Sequence, residues 1–327
     1  MKACSILFIL VCALTLIMYQ QNRNIIAGLA LADSCEHIHQ FKIMEKYLEL
    51  VLQVLETDIE RIDSFHTGIY QILPTIQTQA KNDSIVLQIQ DVSSLIHPIL
   101  TDTNLLLDPN FYCLFLQANM PIQSFIEKRN QGVQINNEMI SEDYHHKYWS
   151  TYSLINLNTI DLAVLDMVLH NALDLPLADQ IFHDFSLFRQ RRQIIHERDL
   201  LRFNTPEYKG FHRLFTTQPQ ININTVPEKV LHAFIFNSTF SIPKPADTLS
   251  RILRRRTIGS ISKNEIPTLL GLTDPHPIEK YFGDKTYFWK IEVQNEKKRL
   301  TCITAILPPD INNGTQSPPI IVSRIQE

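Results

Sequence analysis

The sequence predicts an α+β protein: a long N-terminal helix, a small antiparallel sheet, and a large all-α block inserted between the parts of that sheet. Three observations carry this reading. Apolar residues recur at helical spacing from Met44 to Ile62, and the first proline is Pro74. Two segments of strand character, 84–90 and 287–307, stand far apart in the chain. Between them a pattern of eleven residues occurs twice, each time ahead of a helix-like run.

Composition narrows the function classes. A chain of 327 residues is long enough for two packed units, or for one domain carrying a large insertion. The formal net charge of −4 gives no global pull toward nucleic acid or anionic lipid. With only 8 glycines the chain is poor in tight turns, which favours helix over an all-β fold. None of Cys4, Cys12, Cys35, Cys113 and Cys302 forms a CxxC pair, so metal-ribbon and thioredoxin-like chemistry lack their ligands. Cys113 and Cys302 fall in the part expected to be exported, where an oxidising compartment lets them pair. Spacing alone does not fix that connectivity.

The N-terminal helix is expected in two parts. Ala3 to Tyr19 holds neither charge nor proline, and its 17 residues reach the lower limit for crossing a hydrocarbon core of about 30 Å. Lys2 ahead of the run places the N-terminus in the cytoplasm. A transmembrane segment over 1–22 follows, with the bulk of the chain outside the cytoplasm. The rival is a signal-peptidase site at Ala30-Leu31-Ala32, but polar Gln20 to Asn24 sets it far from the apolar run. Further on, Met44, Leu48, Val51, Leu55, Ile59 and Ile62 make an apolar stripe, with Glu45, Glu49, Glu56, Glu60 and Arg61 on other faces. One continuous helix is the simplest reading, with Gly28 able to admit a bend. About 60 helical residues would reach about 90 Å. The stripe can pack on companion helices of an assembly, on the chain's own core, or on both.

After Pro74 the character changes. Ser84 to Gln90 reads as a strand, 111–128 as helix interrupted by Pro121, and Gln131 to Trp149 as loop. Glu142, Asp143, His145 and His146 in that loop are metal-ligating types, yet their spacing matches no known site and a solvated loop accounts for them. Then Ile155-Asn156-Leu157-Asn158-Thr159-Ile160 with Val164-Leu165 recurs as Ile221-Asn222-Ile223-Asn224-Thr225-Val226 with Val230-Leu231, 66 residues later. Each copy ends in Asn-Thr, whose side chains are expected to cap the next helical turn. In the second copy Pro227 and Glu228 suit a helix start. Two further helices are expected over 246–256 and 262–270, the latter opened by Ser262 and Glu265 as a capping box. Tyr287, Trp289, Ile291 and Val293 alternate with polar neighbours as a half-buried strand, 295–298 turns, and 300–307 returns. Ile320 to Ile325 adds an edge strand. The predicted organisation is 1–22, the N-terminal helix segment; 23–150, the first part of an α/β domain; 151–275, an inserted helical domain of duplicated helix–hairpin (SAM-like) units; and 276–327, the closing strands.

This order, with the paired motifs, resembles the minor pseudopilin K family (general secretion pathway protein K) of type II secretion systems. The resemblance covers nearly the whole chain: the N-terminal apolar helix, Ile155–Asn158, Ile221–Thr225 with its helix, Leu269-Leu270-Gly271-Leu272, and Tyr287–Val293. Its specific part is the run from Ile221 to Leu231. It implies a pilin-like fold with a large α-helical insertion, at the tip of a periplasmic pseudopilus, assembled with minor pseudopilins I and J and other pilin-like subunits. It also implies anchorage in the bacterial inner membrane and assembly through the stripe Met44, Leu48, Val51, Leu55 and Ile59. Its motif residues here are Ile155, Asn156, Asn158, Asn222, Asn224 and Thr225. Most pilin-like helices carry an acid near their start; this run has none, as is typical of the K family, and an unpaired carboxylate in lipid is costly. Processing is expected after Ala3, where the family normally has glycine. The calcium that the resemblance implies meets arginines and apolar residues across Phe182 to Arg192, where K proteins are acidic, so no cofactor is expected.

Two rival functions lack their chemistry. No nucleophile elbow, H-E-x-x-H, Walker loop or dinucleotide fingerprint is present, so no catalytic residue is assigned. The alternative is a membrane-anchored periplasmic helix–hairpin–helix protein that binds DNA, as in DNA uptake. Such hairpins grip phosphate through glycine-rich turns, whereas 236–243 contains no glycine. Arg251, Arg254, Arg255 and Arg256 form the dense basic cluster, which suits a protein interface as well. No nucleic acid is expected as a partner.

Overall fold

The computed structural model describes residues 20, 23, 34–57, 63–134, 138–191, 196, 199, 215–272, 276–307 and 318–327. The apolar run 3–19, Ala3 and Ile59 lie outside the described residues. Among the described residues no helix is long and apolar enough to cross a membrane. The chain divides into two units, Met1–Leu50 and Val51–Glu327.

In the first unit residues 34–50 are helical, and Met44, Tyr47 and Leu48 are buried. In the second, residues 51–57 are helical, with Val51 and Leu55 buried. The helix does not run on to Pro74. Residues 63–68 are non-helical, Ser64 and Thr67 bond each other, and Gly68 takes φ 61°, which a residue with a Cβ resists. A new helix, Ile69–Asn82, then carries Pro74 inside it. The expected helix of about 60 residues from the apolar run to Ile62 thus stops short of Pro74, and Gly68 is the N-cap of the next helix.

Eight strands follow among the described residues: β1 (Val86–Asp91), β2 (Ile155–Asn156), β3 (Phe215–Thr216), β4 (Ile221–Asn222), β5 (Phe282–Gly283), β6 (Phe288–Gln294), β7 (Arg299–Ala305) and β8 (Ile320–Gln326). One antiparallel sheet runs β1-β6-β7-β8. Its first strand is thus paired with strands from the far end of the sequence, as the separated β segments implied. Trp289, Ile291 and Val293 are fully buried on one face, while Lys290 and Glu292 on the other pair at 3.2 Å. Each fully buried large apolar side chain contributes about 1.5–3 kcal/mol. Cys302 is buried in β7 opposite Ile291, and Cys113 is exposed beyond the helix Pro109–Tyr112. Both are free thiols, so the permitted disulfide does not form.

Between β1 and β6 the chain is largely helical. Thr103–Leu106 and Pro109–Tyr112 are capped by Asp102 and Asp108, each accepting a backbone N–H at 2.8 Å. Pro121 begins the helix Ile122–Asn130 rather than interrupting a longer one, since its fixed φ of −65° suits a helix start. The stretch 131–149 is more than loop: Met139, Ile140, Tyr148 and Trp149 are buried, and Trp149 Nε1 donates to Ser141 O at 2.9 Å. These residues join Phe111, Phe115 and Phe125 in a core with Val230, Leu231, Phe234 and Leu270. Phe111 meets Phe234 edge-on at 4.7 Å. A second core gathers Leu157, Val164, Leu165, Ile181 and Phe185. The capping box of Ser262 and Glu265 forms as read.

Candidate functional site

The two motif copies build the same device. A two-residue parallel bridge comes first: β2 pairs with β3, and β4 with β5. The leading asparagine then folds back on its own chain. Asn156 Oδ1 accepts from Asn158 N at 2.8 Å, and Asn222 Oδ1 from Asn224 N at 2.9 Å. These are Asx turns, so the asparagines shape the approach to the helix and do not cap it. The caps are Asp161, which accepts from Ala163 N, and Pro227, which has no side-chain bond. Helices Leu162–Ala172 and Glu228–Ile235 follow, with Val164, Leu165, Val230 and Leu231 buried alike.

What the copies hold differs. In the second, Asn222 Nδ2 donates to Asp63 O at 2.7 Å and Thr286 Oγ1 at 3.0 Å, and Asn222 N to Ser94 Oγ at 2.8 Å. Asn224 closes a two-way pair with the backbone of Ile261, at 2.9 and 2.7 Å. Two of these bonds, to Ser94 and Thr286, lead on to Asp91, at the end of β1 and buried. Its carboxylate accepts from Ser93 Oγ, Ser94 N, Ser94 Oγ, Thr225 Oγ1 and Thr286 Oγ1. Three of the hydroxyls are relays: Ser93 accepts from Tyr287 N, Ser94 from Asn222 N and Thr286 from Asn222 Nδ2, and each donates onward. Burial raises the Asp91 carboxyl above its ordinary value, and the hydroxyl donors offset part of this. Sequence reading missed Asp91 because its partners come from three separate segments, 93–94, 225 and 286.

In the first copy Asn156 Nδ2 donates to Gln218 O at 2.8 Å, and Asn158 Nδ2 to Thr217 O at 3.2 Å. No carboxylate enters that turn among the described residues. Its nearest charge is Asp161, which pairs at 3.3 Å with Arg129, whose side chain is wholly buried. Burial raises the Asp161 carboxyl, but bonds from Thr103 and Ala163 and the Arg129 charge outweigh it, and the net shift is downward.

Three of the four arginines of the cluster each hold an internal partner, although Nε and one terminal nitrogen of Arg256 are buried without one. Arg255 pairs with Glu265 at 3.0 Å, Arg256 donates to Val226 O at 2.9 Å, and Arg251 to Leu269 O at 3.2 Å. Burial brings the Arg256 guanidinium down to about 10. Arg254 is exposed. A surface for phosphates needs these cations free. Among the described residues no three His, Cys, Asp or Glu side chains converge as metal ligands. His145 instead stacks on His146 and Trp149. The stretch 182–191 belongs to the helix Leu175–Arg191, with Asp184 its only acid and Arg189 donating to Ile160 O. Calcium takes six to eight oxygens, and these residues do not fit it.

One surface stands apart. β8 pairs only with β7 among the described residues, so its outer backbone edge is open. Ile320, Ile321, Val322 and Ile325 on it are 46–50% exposed. Four half-exposed aliphatics on an open edge are a strand-pairing surface that isolated proteins usually blunt.

No family model and no curated protein matches the chain. Among solved structures, the chain is similar to one in the crystal structure of the GspK-GspI-GspJ complex of the type 2 secretion system from enterotoxigenic Escherichia coli. The two share 11% identity over 90% of this chain and 98% of that one, with a TM-score of 0.36. A likeness at that level carries no argument.

Proposed function

We propose that this chain is a non-enzymatic assembly subunit, a minor pseudopilin of the K type that joins minor pseudopilins I and J at the tip of a type II secretion pseudopilus. The observation that carries this reading is the open apolar edge of β8, which has the chemistry of a docking strand. The run from Ile221 to Leu231 supplies the family resemblance, and the helical block supplies the bulk that would stop another subunit stacking above. Residues 3–19 hold the chain in the inner membrane with its bulk in the periplasm, and the reading needs no cofactor. Val51 and Leu55 are buried within this chain, so the docking load falls on β8 more than on those two positions. The test is sedimentation of the full chain, in mild detergent, with the I and J subunits of the same genome. A 1:1:1 species is expected, and Ile321→Lys should weaken it. An I–J pair that leaves this chain free would refute the reading.

A further inference from the structure

Independently of the assembly reading, the second unit contains a cleft of about 530 Å³. That is within the range of about 300–1,000 Å³ typical of small-ligand sites. Ile99, Trp149 and Met167 give it apolar walls, and Arg129, Gln134, Glu142, His145, Thr151 and Asn171 are its polar groups. Its charges do not balance. Arg129 in the lining is tied to Asp161, Thr103 Oγ1 and Thr101 O, which leaves it no cation to offer. Lys290, the cation that acts on His145, is itself held by Glu292 at 3.2 Å. Burial lowers the basicity of the His145 ring, so at neutral pH its imidazole is uncharged. Glu142, with its side chain 54% exposed and one oxygen 4.0 Å from His145 Nδ1, is the acid of the lining and meets no Lys or Arg within 4 Å among the described residues.

We propose that this cleft binds an ammonium or guanidinium group on an apolar stem, with Glu142 taking the cation and the stem lying along Trp149 and Met167. Asn171 offers an amide oxygen as a further acceptor. A free aliphatic amine and a lysine or arginine side chain of another polypeptide present the same chemistry. An anion is disfavoured, because no free cation faces the cleft among the described residues.

The test titrates the full-length protein with dansylcadaverine, a primary amine on a five-carbon stem, and follows its fluorescence. Saturable binding is expected, weakened about tenfold by Glu142→Gln, as the loss of one partly desolvated charge pair implies. Glu296→Gln, in the exposed hairpin turn, should leave it unchanged. Displacement by n-pentylamine alone would assign a free amine, and displacement also by acetyl-Gly-Lys-Gly-amide would assign a side chain. No saturation below about 10 mM, equal binding by Glu142→Gln, or equal displacement by uncharged acetyl-norleucine amide would overturn the proposal. Glu142 is exposed, so its variant should fold, and an unchanged thermal midpoint checks that.

Discussion

In the second motif copy the Asn222 side chain reaches two partners outside its own turn, Asp63 O and Thr286 Oγ1, whereas in the first the Asn156 side chain reaches Gln218 O. The backbone device is the same in both: parallel bridge, Asx turn, helix. The surroundings differ. The second copy is wired through hydroxyl relays to a buried carboxylate at the end of β1, and so ties the helical block to the sheet. The first is stitched to the returning segment at 215–218. The two copies thus share a local way of entering a helix and differ in their long-range anchoring.

The comparison predicts an order of effects. Asp91→Ala should be the largest, costing about 4 kcal/mol, because hydroxyl and amide donors are left buried without their acceptor. Asn222→Ala should cost about 2–3 kcal/mol and Asn156→Ala about 1–2, following the number of bonds each removes. Urea unfolding of the full chain measures both, and equal costs at the two asparagines would erase the distinction drawn here. Thr225→Val should cost about 1 kcal/mol, against less than about 0.5 for Thr159→Val, whose hydroxyl makes one long bond of 3.4 Å to Asn156 O.

The two carboxylates sharpen the contrast through pH. Asp91 is raised in the fold, so the folded chain binds its proton more tightly than the unfolded chain. Its contribution to stability is greatest in acid and falls as pH rises from the ordinary carboxylate range through the raised value. Asp161 is lowered, so its contribution is present above the ordinary range and is lost as pH falls through the lowered value. Asp91→Asn and Asp161→Asn should therefore change the slope of stability against pH with opposite signs. The same sign for both would sink this assignment.

Much of this was legible in local sequence. The capping box needs Ser262 and Glu265 three apart, a short-range rule that a reader can apply, whereas the asparagines expected to cap the helices form Asx turns instead. The alternation at Trp289, Ile291 and Val293 marked β6 for the same reason. Longer-range features escaped. Asp91 gathers Ser93, Ser94, Thr225 and Thr286 only once the sheet has closed. The helix Ile69–Asn82 was not read from the sequence, since Pro74 inside it argues locally against a helix there. The four arginines looked like one basic patch, yet three are spent on Glu265, Val226 and Leu269, partners that only tertiary packing supplies.

The central claim is that β8 is the edge on which companion subunits assemble, and amide hydrogen exchange tests it most directly. The amides of 320–326 that β7 leaves unpaired should exchange freely in the isolated chain, and slow by about tenfold or more when the I and J subunits are added. Unchanged exchange there, in a mixture where the subunits are shown to be folded, would contradict it.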